Sequence, residues 1–135
     1  MSPRAVSLVP TVLVVIAVGC GGSDDGAGDL GSPLAVEARQ IARRAGCTAC
    51  HGADGEGGVG PAWAGSLGTE IELEDGTTVT VDEAYLTRAI ADPQAQVQAG
   101  FDISMPENHL TDAEIATLVE YIVSLNGPAA TEAGG

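Results

Sequence analysis

The run Cys47-Thr48-Ala49-Cys50-His51 constrains this chain more than any other stretch. Two thiols three positions apart, with an imidazole next to the second, form a C-x-x-C-H pattern. At that spacing the thiols can add to the two vinyl groups on one edge of a haem, and the adjacent histidine can reach the iron from beneath the ring. Haem c attachment is the direct reading of the pattern. Three others compete with it: a thioredoxin-like dithiol, a structural disulfide, and half of a zinc site. A redox dithiol calls for a strand-helix-strand setting, and zinc calls for a second pair of ligands. The only other histidine is His109.

The size of the chain fits a bound group. It has 135 residues, 44% of them hydrophobic and only 3% aromatic. Once ends and tethers are set aside, one small domain remains, and so small a core is marginal without a cross-link or cofactor. Nineteen acids stand against five arginines and no lysine, for a net charge of −14. That balance excludes nucleic-acid binding, which needs a basic surface. It also predicts that a protein partner presents a basic patch, or that a tether supplies proximity so that charge steering matters less.

The first residues have the layout of an export signal, expected over residues 1–19: Arg4, then a mostly apolar run from Ala5 to Val18 interrupted by Pro10. The run is too short for a spanning helix. Ala17-Val18-Gly19-Cys20 resembles the lipobox of bacterial lipoproteins, with Ala17 where leucine is usual, so Cys20 is the expected lipidation site. The alternative is ordinary cleavage that leaves Cys20 a free thiol. Residues 20–33, rich in Gly, Ser and Asp, are expected to form a lipid-anchored flexible linker. Residues 34–127 are the expected folded domain and 128–135 a disordered tail.

Three helical patterns occupy the domain. Leu34, Ala38, Ile41 and Ala45 line one helix face, with Arg43 and Arg44 at its C-terminal end and Gly46 as its stop. Thr80-Val81-Asp82-Glu83 reads as a capping box opening a helix through Ala91, ended by Pro93. Thr111-Asp112-Ala113-Glu114 is a second capping box, before a helix that carries Ile115, Leu118, Val119, Ile122 and Leu125 and ends at Asn126-Gly127. Between the first two, Ile71 and Leu73 alternate with acids and Val79 and Val81 with threonines. Asp75-Gly76 lies between them, which predicts a small hairpin.

A six-coordinate iron needs a second axial ligand. Apart from the start residue, Met105 is the only methionine, and it precedes Pro106 in a loop. A thioether opposite histidine raises the reduction potential, as suits a carrier. The other possibility is a methionine that fills a gap in the core. His109, beside Asn108 and the capping Thr111, reads as a surface histidine more readily than as an iron ligand. After the motif come Gly57, Gly58, Gly60 and Pro61. Glycines permit close approach of backbone to a macrocycle, and a proline carbonyl is a candidate acceptor for the Nδ1 proton of His51, against the reading of a plain surface loop. Trp63 is expected to line the cofactor pocket or to donate to a propionate, with simple core packing as the alternative.

Taken in order, these residues resemble class I cytochromes c, and most closely the cytochrome domain fused to subunit II of some bacterial oxidases of the caa3 type. The resemblance runs from about Leu34 to Leu125. It rests on GCTACHGADG, Gly60-Pro61, ELEDGTTVTVDEAYL, RAIADP, the Gly100-Phe101 to Met105-Pro106 loop and the closing helix. No copper-binding domain precedes these residues, so a stand-alone lipoprotein is expected. The family implies a small all-α fold with a β-hairpin insertion around one covalent haem c. It also implies His51 and Met105 as axial ligands and Pro61 as acceptor for the histidine. The implied role is non-enzymatic: electron transfer in a respiratory chain by a membrane-anchored monomer on the outer face of the cytoplasmic membrane. Its expected partners are a terminal oxidase or a quinol-cytochrome c reductase. The competing function is a catalytic or gas-sensing haem protein with an open distal site.

Overall fold

A computed structural model describes residues 31–127. The expected export signal, the lipidation site Cys20, most of the linker and the 128–135 tail lie outside the described residues. Among the described residues no helix is long and apolar enough to cross a membrane.

Helix α1 spans Pro33–Arg44. Ser32 caps it by accepting a hydrogen bond from the Ala35 N–H (3.2 Å), and Pro33 occupies the first helical position, where its missing N–H costs nothing. The helix ends where Gly46 turns to φ +80°. A single further turn, α2, spans Thr48–His51. Strands β1 (Glu70–Glu72) and β2 (Thr78–Thr80) pair antiparallel, with Ile71 opposite Val79. The expected hairpin is thus present. Its loop closes through the Gly76 N–H to the Leu73 carbonyl (2.9 Å) and the Leu73 N–H to the Thr77 carbonyl (2.8 Å), with Gly76 at φ +82°. Residues 97–99 lie along the free edge of β1: the Ala99 N–H donates to the Glu72 carbonyl (2.9 Å) and the Glu74 N–H to Val97 (2.9 Å).

Helix α3 spans Glu83–Ala91 and helix α4 Asp112–Ser124. The capping box expected at Thr80 does not form. Thr80 is held extended opposite Glu70, and the cap is Asp82, whose carboxylate accepts from the Tyr85 N–H (2.7 Å). The second box is present as expected: Glu114 N–H donates to Thr111 Oγ1 (3.3 Å), and Thr111 N–H donates to Glu114 Oε2 (2.9 Å).

Helix α4 packs against both α1 and α3. From α1 the core receives Ala35, Ala38, Ile41 and Ala42; from α3, Leu86 and Ile90. Ala38 and Ala42 are completely buried, and small side chains there let α1 approach α4, whose Tyr121 is 1% exposed in the same cluster. Helices hold fewer than half of the described residues. The architecture is therefore helical with a small two-stranded antiparallel sheet, a coarser description than the all-α class expected from the sequence.

Candidate functional site

The C-x-x-C-H run folds as one helical turn, and this explains its spacing. Cys47 stands at the N-cap of α2, and Cys50 and His51 follow three and four positions on, so all three fall on one face of the turn. The Cys50 and His51 N–H groups both donate to the Cys47 carbonyl, at 3.2 and 3.0 Å. All three side chains line one cavity of about 390 Å³, within the range of small-molecule sites. Its inner wall is core: Val81, Leu86, Ile90, Leu118 and Ile122.

Past the motif the chain doubles back. The Gly57 N–H donates to the His51 carbonyl (2.8 Å) and the Gly60 N–H to the Cys50 carbonyl (3.0 Å). Gly60 is pressed against the imidazole: a Cβ there would lie 3.2 Å from His51 Cε1 and 3.4 Å from Cys50 Cβ. This return places the Pro61 carbonyl 2.8 Å from His51 Nδ1. A carbonyl can only accept, so Nδ1 carries a proton, and in the neutral ring Nε2 then keeps its lone pair. Burial pushes the His51 pKa down, and the bond to Pro61 partly opposes that shift. A neutral imidazole with a free Nε2 is the form that ligates a metal.

Trp63 is buried, lines the cavity and stacks on His51, with ring centroids 5.1 Å apart and planes inclined by 25°. Met105, half-buried, lines the same cavity from the irregular stretch before α4. Its carbonyl accepts from Gln94 Nε2 (2.8 Å). His109 is exposed and is not part of the cavity wall, which leaves Met105 as the site's second candidate ligand. The structure therefore brings together Cys47, Cys50, His51, Pro61, Trp63 and Met105.

The competing readings of the thiols lose ground on chemistry. Burial pushes the Cys47 thiol up and the neighbouring Cys50 adds to it, with a backbone hydrogen bond pulling the other way, so Cys47 is not an activated thiolate. Among the described residues the sheet is a hairpin edged by residues 97–99, without the strand-helix-strand setting of thioredoxin-like sites. Among the described residues no cluster of three or more His, Cys, Asp or Glu is placed to hold a bare metal ion, as half a zinc site would require. An apolar cavity holding two thiols, an imidazole with a free Nε2 and a thioether fits a haem iron.

The cytochrome c family model matches residues 35–126, more than half of the chain, and the chain belongs to that family. The family binds haem c covalently and carries electrons. No significant match is found among curated proteins.

Two features of the site were not anticipated from the sequence. One is the stacking of Trp63 on His51; the other is the set of hydrogen bonds that Asn126 makes around Trp63, described below. Asn126-Gly127 reads in sequence only as the end of a helix, and no local pattern links it to a residue so far upstream.

Proposed function

We propose that this chain is a monohaem electron carrier in which Cys47 and Cys50 would hold the haem covalently and His51 Nε2 and Met105 Sδ would be the ligands of its iron. Each thiol would add its S–H across one vinyl group, sulfur to one carbon and hydrogen to the other, a balanced addition that needs no external oxidant. When bound, the haem supplies a one-electron iron couple. The chain's own residues do the rest. Pro61 holds the Nδ1 proton and so orients the imidazole and raises its basicity; Trp63 walls the pocket and excludes water from it; the thioether of Met105 favours the reduced state. The observation that carries this reading is the shared apolar cavity, which the C-x-x-C-H face and Met105 both line.

In the cell we place the carrier outside the cytoplasm, anchored through lipidated Cys20 to the outer face of the cytoplasmic membrane, with the Gly-, Ser- and Asp-rich residues ahead of Ser32 as leash. It passes electrons between membrane complexes of a respiratory chain, for example from a quinol-cytochrome c reductase to a terminal oxidase, as a monomer. The charge of −14 supports partners with basic docking surfaces.

The test is expression in a host that matures haem c. A haem stain should survive on a denaturing gel, one haem per chain. The oxidised protein should show the far-red sulfur-to-iron charge-transfer band and should not bind carbon monoxide when reduced. A stained protein that lacks the band and binds carbon monoxide readily is instead the open-site sensor or catalyst. Colourless protein with both thiols reactive overturns the haem reading altogether. Detergent dependence that disappears on Cys20→Ser checks the anchor.

A further inference from the structure

Asn126 lies just past the C-terminal end of α4 and uses three of its hydrogen-bonding positions. Its Nδ2 donates to the Ile122 carbonyl (2.7 Å) and to the Trp63 carbonyl (3.0 Å), and its Oδ1 accepts from the Leu67 N–H (3.1 Å). The first bond is an ordinary satisfaction of a helix-terminal carbonyl. The other two leave the helix and grip both ends of the turn that follows Trp63. That turn is tightened from within by Ser66 Oγ, which also donates to the Trp63 carbonyl (2.7 Å).

On its other side Trp63 is confined by Gly55. The Trp63 N–H donates to the Gly55 carbonyl (2.8 Å), and a Cβ on Gly55 would stand only 3.0 Å from the Trp63 side chain and 3.1 Å from Leu125. The indole is thus pinned between this loop and the end of α4, and its face meets His51. Two residues upstream, the same strip of backbone presents the Pro61 carbonyl to Nδ1.

We propose that Asn126 is a positioning residue for His51: through Trp63 it holds the segment that both stacks on the imidazole and accepts its Nδ1 proton. No other common side chain of this length supplies two donors and an acceptor at once; aspartate lacks the donors, and alanine lacks both. Slackening the segment weakens the hold on the Nδ1 proton, makes the imidazole a poorer electron donor, and raises the potential of the iron it ligates. The inference rests on His51 being the iron ligand.

The experiment is a redox titration of the haem-loaded full chain, with NMR of the hyperfine-shifted axial imidazole protons in the oxidised state. It compares wild type with Asn126→Ala, Asn126→Asp, Ser66→Ala and, as a structural control, Asp82→Ala. Asn126→Ala should raise the potential and move the imidazole resonances, and Asn126→Asp, which loses the same donors but adds a carboxylate that pulls the potential down, should move the resonances as well. Ser66→Ala should shift both in the same direction as Asn126→Ala, by less. Asp82→Ala, which strips the cap from α3, should lower the melting temperature and leave potential and resonances alone.

Wild-type values in both Asn126 variants overturn the inference, as does an equal shift in Asp82→Ala. Should the Asn126 variants not fold, Ser66→Ala decides, since it removes a donor from the same carbonyl. A wild-type protein without an iron-bound imidazole is a different failure: it removes the axial-ligand reading and this inference together, before any variant is compared.

Discussion

The stretch carrying Pro61 and Trp63, residues 52–67, and the stretch carrying Met105, residues 100–110, line the same cavity but are held by different means. The first is tied by backbone: Gly57 to His51, Gly60 to Cys50 and Trp63 to Gly55, with Asn126 and Ser66 adding side-chain bonds. From Asp102 to Leu110 the second shows none of these backbone ties among the described residues. It hangs instead on side-chain amides. Gln94 reaches the Met105 carbonyl, and Asn108 Nδ2 reaches the Ile90 carbonyl at the end of α3 (2.7 Å). Met105 shares its stretch with Ile103, which is 59% exposed. Backbone ties persist whatever the side chains are, so the imidazole side is rigid by construction. The thioether side, with fewer ties, is expected to have the lower local stability and to open before the whole does.

Removing each candidate ligand should expose this difference most strongly. His51→Ala deletes a group that is embedded in the fold as well as in the site, and folded haem-loaded protein should be lost. Met105→Ala should leave haem attached, open the iron to carbon monoxide and lower the potential. Haem per chain and the carbon monoxide difference spectrum separate the two outcomes. An unchanged spectrum in Met105→Ala removes Met105 from the site.

Next in size is a pair of glycines. Gly55 and Gly100 both adopt positive φ, +79° and +90°, which L side chains rarely adopt. A Cβ on Gly100 meets nothing within 4 Å, whereas one on Gly55 runs into Trp63 and Leu125. Gly100→Ala should therefore cost about 1 kcal/mol of conformational strain. Gly55→Ala adds overpacking to the same strain, for roughly 3 kcal/mol in all. Equal shifts of the urea midpoint would mean that the imidazole side has more give than its contacts suggest.

How much of this could be read from residues alone follows the same division. The C-x-x-C-H turn, the α4 capping box and the Asp75-Gly76 hairpin depend on residues close in sequence and are legible there, whereas the Pro61 acceptor is one of two readings of its loop and is implied by the family resemblance. The start of α3 was legible only in part. Thr80 and Asp82 both offer a capping oxygen, and the choice is made by the hairpin, which keeps Thr80 extended opposite Glu70. Asn126 and Trp63 meet only because α4 returns across the loop after the motif, and nothing in the spacing of an Asn and a Trp encodes that. The edge formed by residues 97–99 was missed for the same reason: Gln98 pairs with Leu73 without any alternation of its own.

Smaller effects test the amides that hold the Met105 stretch. Asn108→Ala removes the Ile90 bond and the partner of the Leu110 N–H, both part-buried, and should cost about 1 kcal/mol. Gln94→Ala loses one exposed bond and should cost about half as much. Its sharper signature should be spectroscopic. With the Met105 carbonyl released, the far-red band should fade at a lower denaturant concentration than in wild type, while global unfolding stays nearly where it was. A band that fades only with global unfolding would contradict the low local stability assigned to this side.

The smallest effect concerns the far anchor of that stretch, the first turn of α4. The Thr111 N–H holds the Glu114 carboxyl below the usual glutamate range, the Thr111 hydroxyl adds to the effect, and Arg44 contributes a further hydrogen bond and its charge. In the unfolded chain the same carboxyl titrates at its ordinary value. Stability from the lowered pKa is therefore complete above the ordinary glutamate range, declines as pH falls through the interval beneath it, and is gone once the folded carboxyl is protonated. Glu114→Gln keeps an oxygen for Thr111 but cannot ionise, so the melting-temperature gap between wild type and variant should be widest near neutrality and close as the solution is acidified. Solvent exposure keeps that gap small. Because Thr111 joins the Met105 stretch to α4, the far-red band should weaken in acid before the stacking of Trp63 on His51 is disturbed. A gap that stays constant with pH would show that the ionised carboxylate contributes nothing to holding the stretch in place.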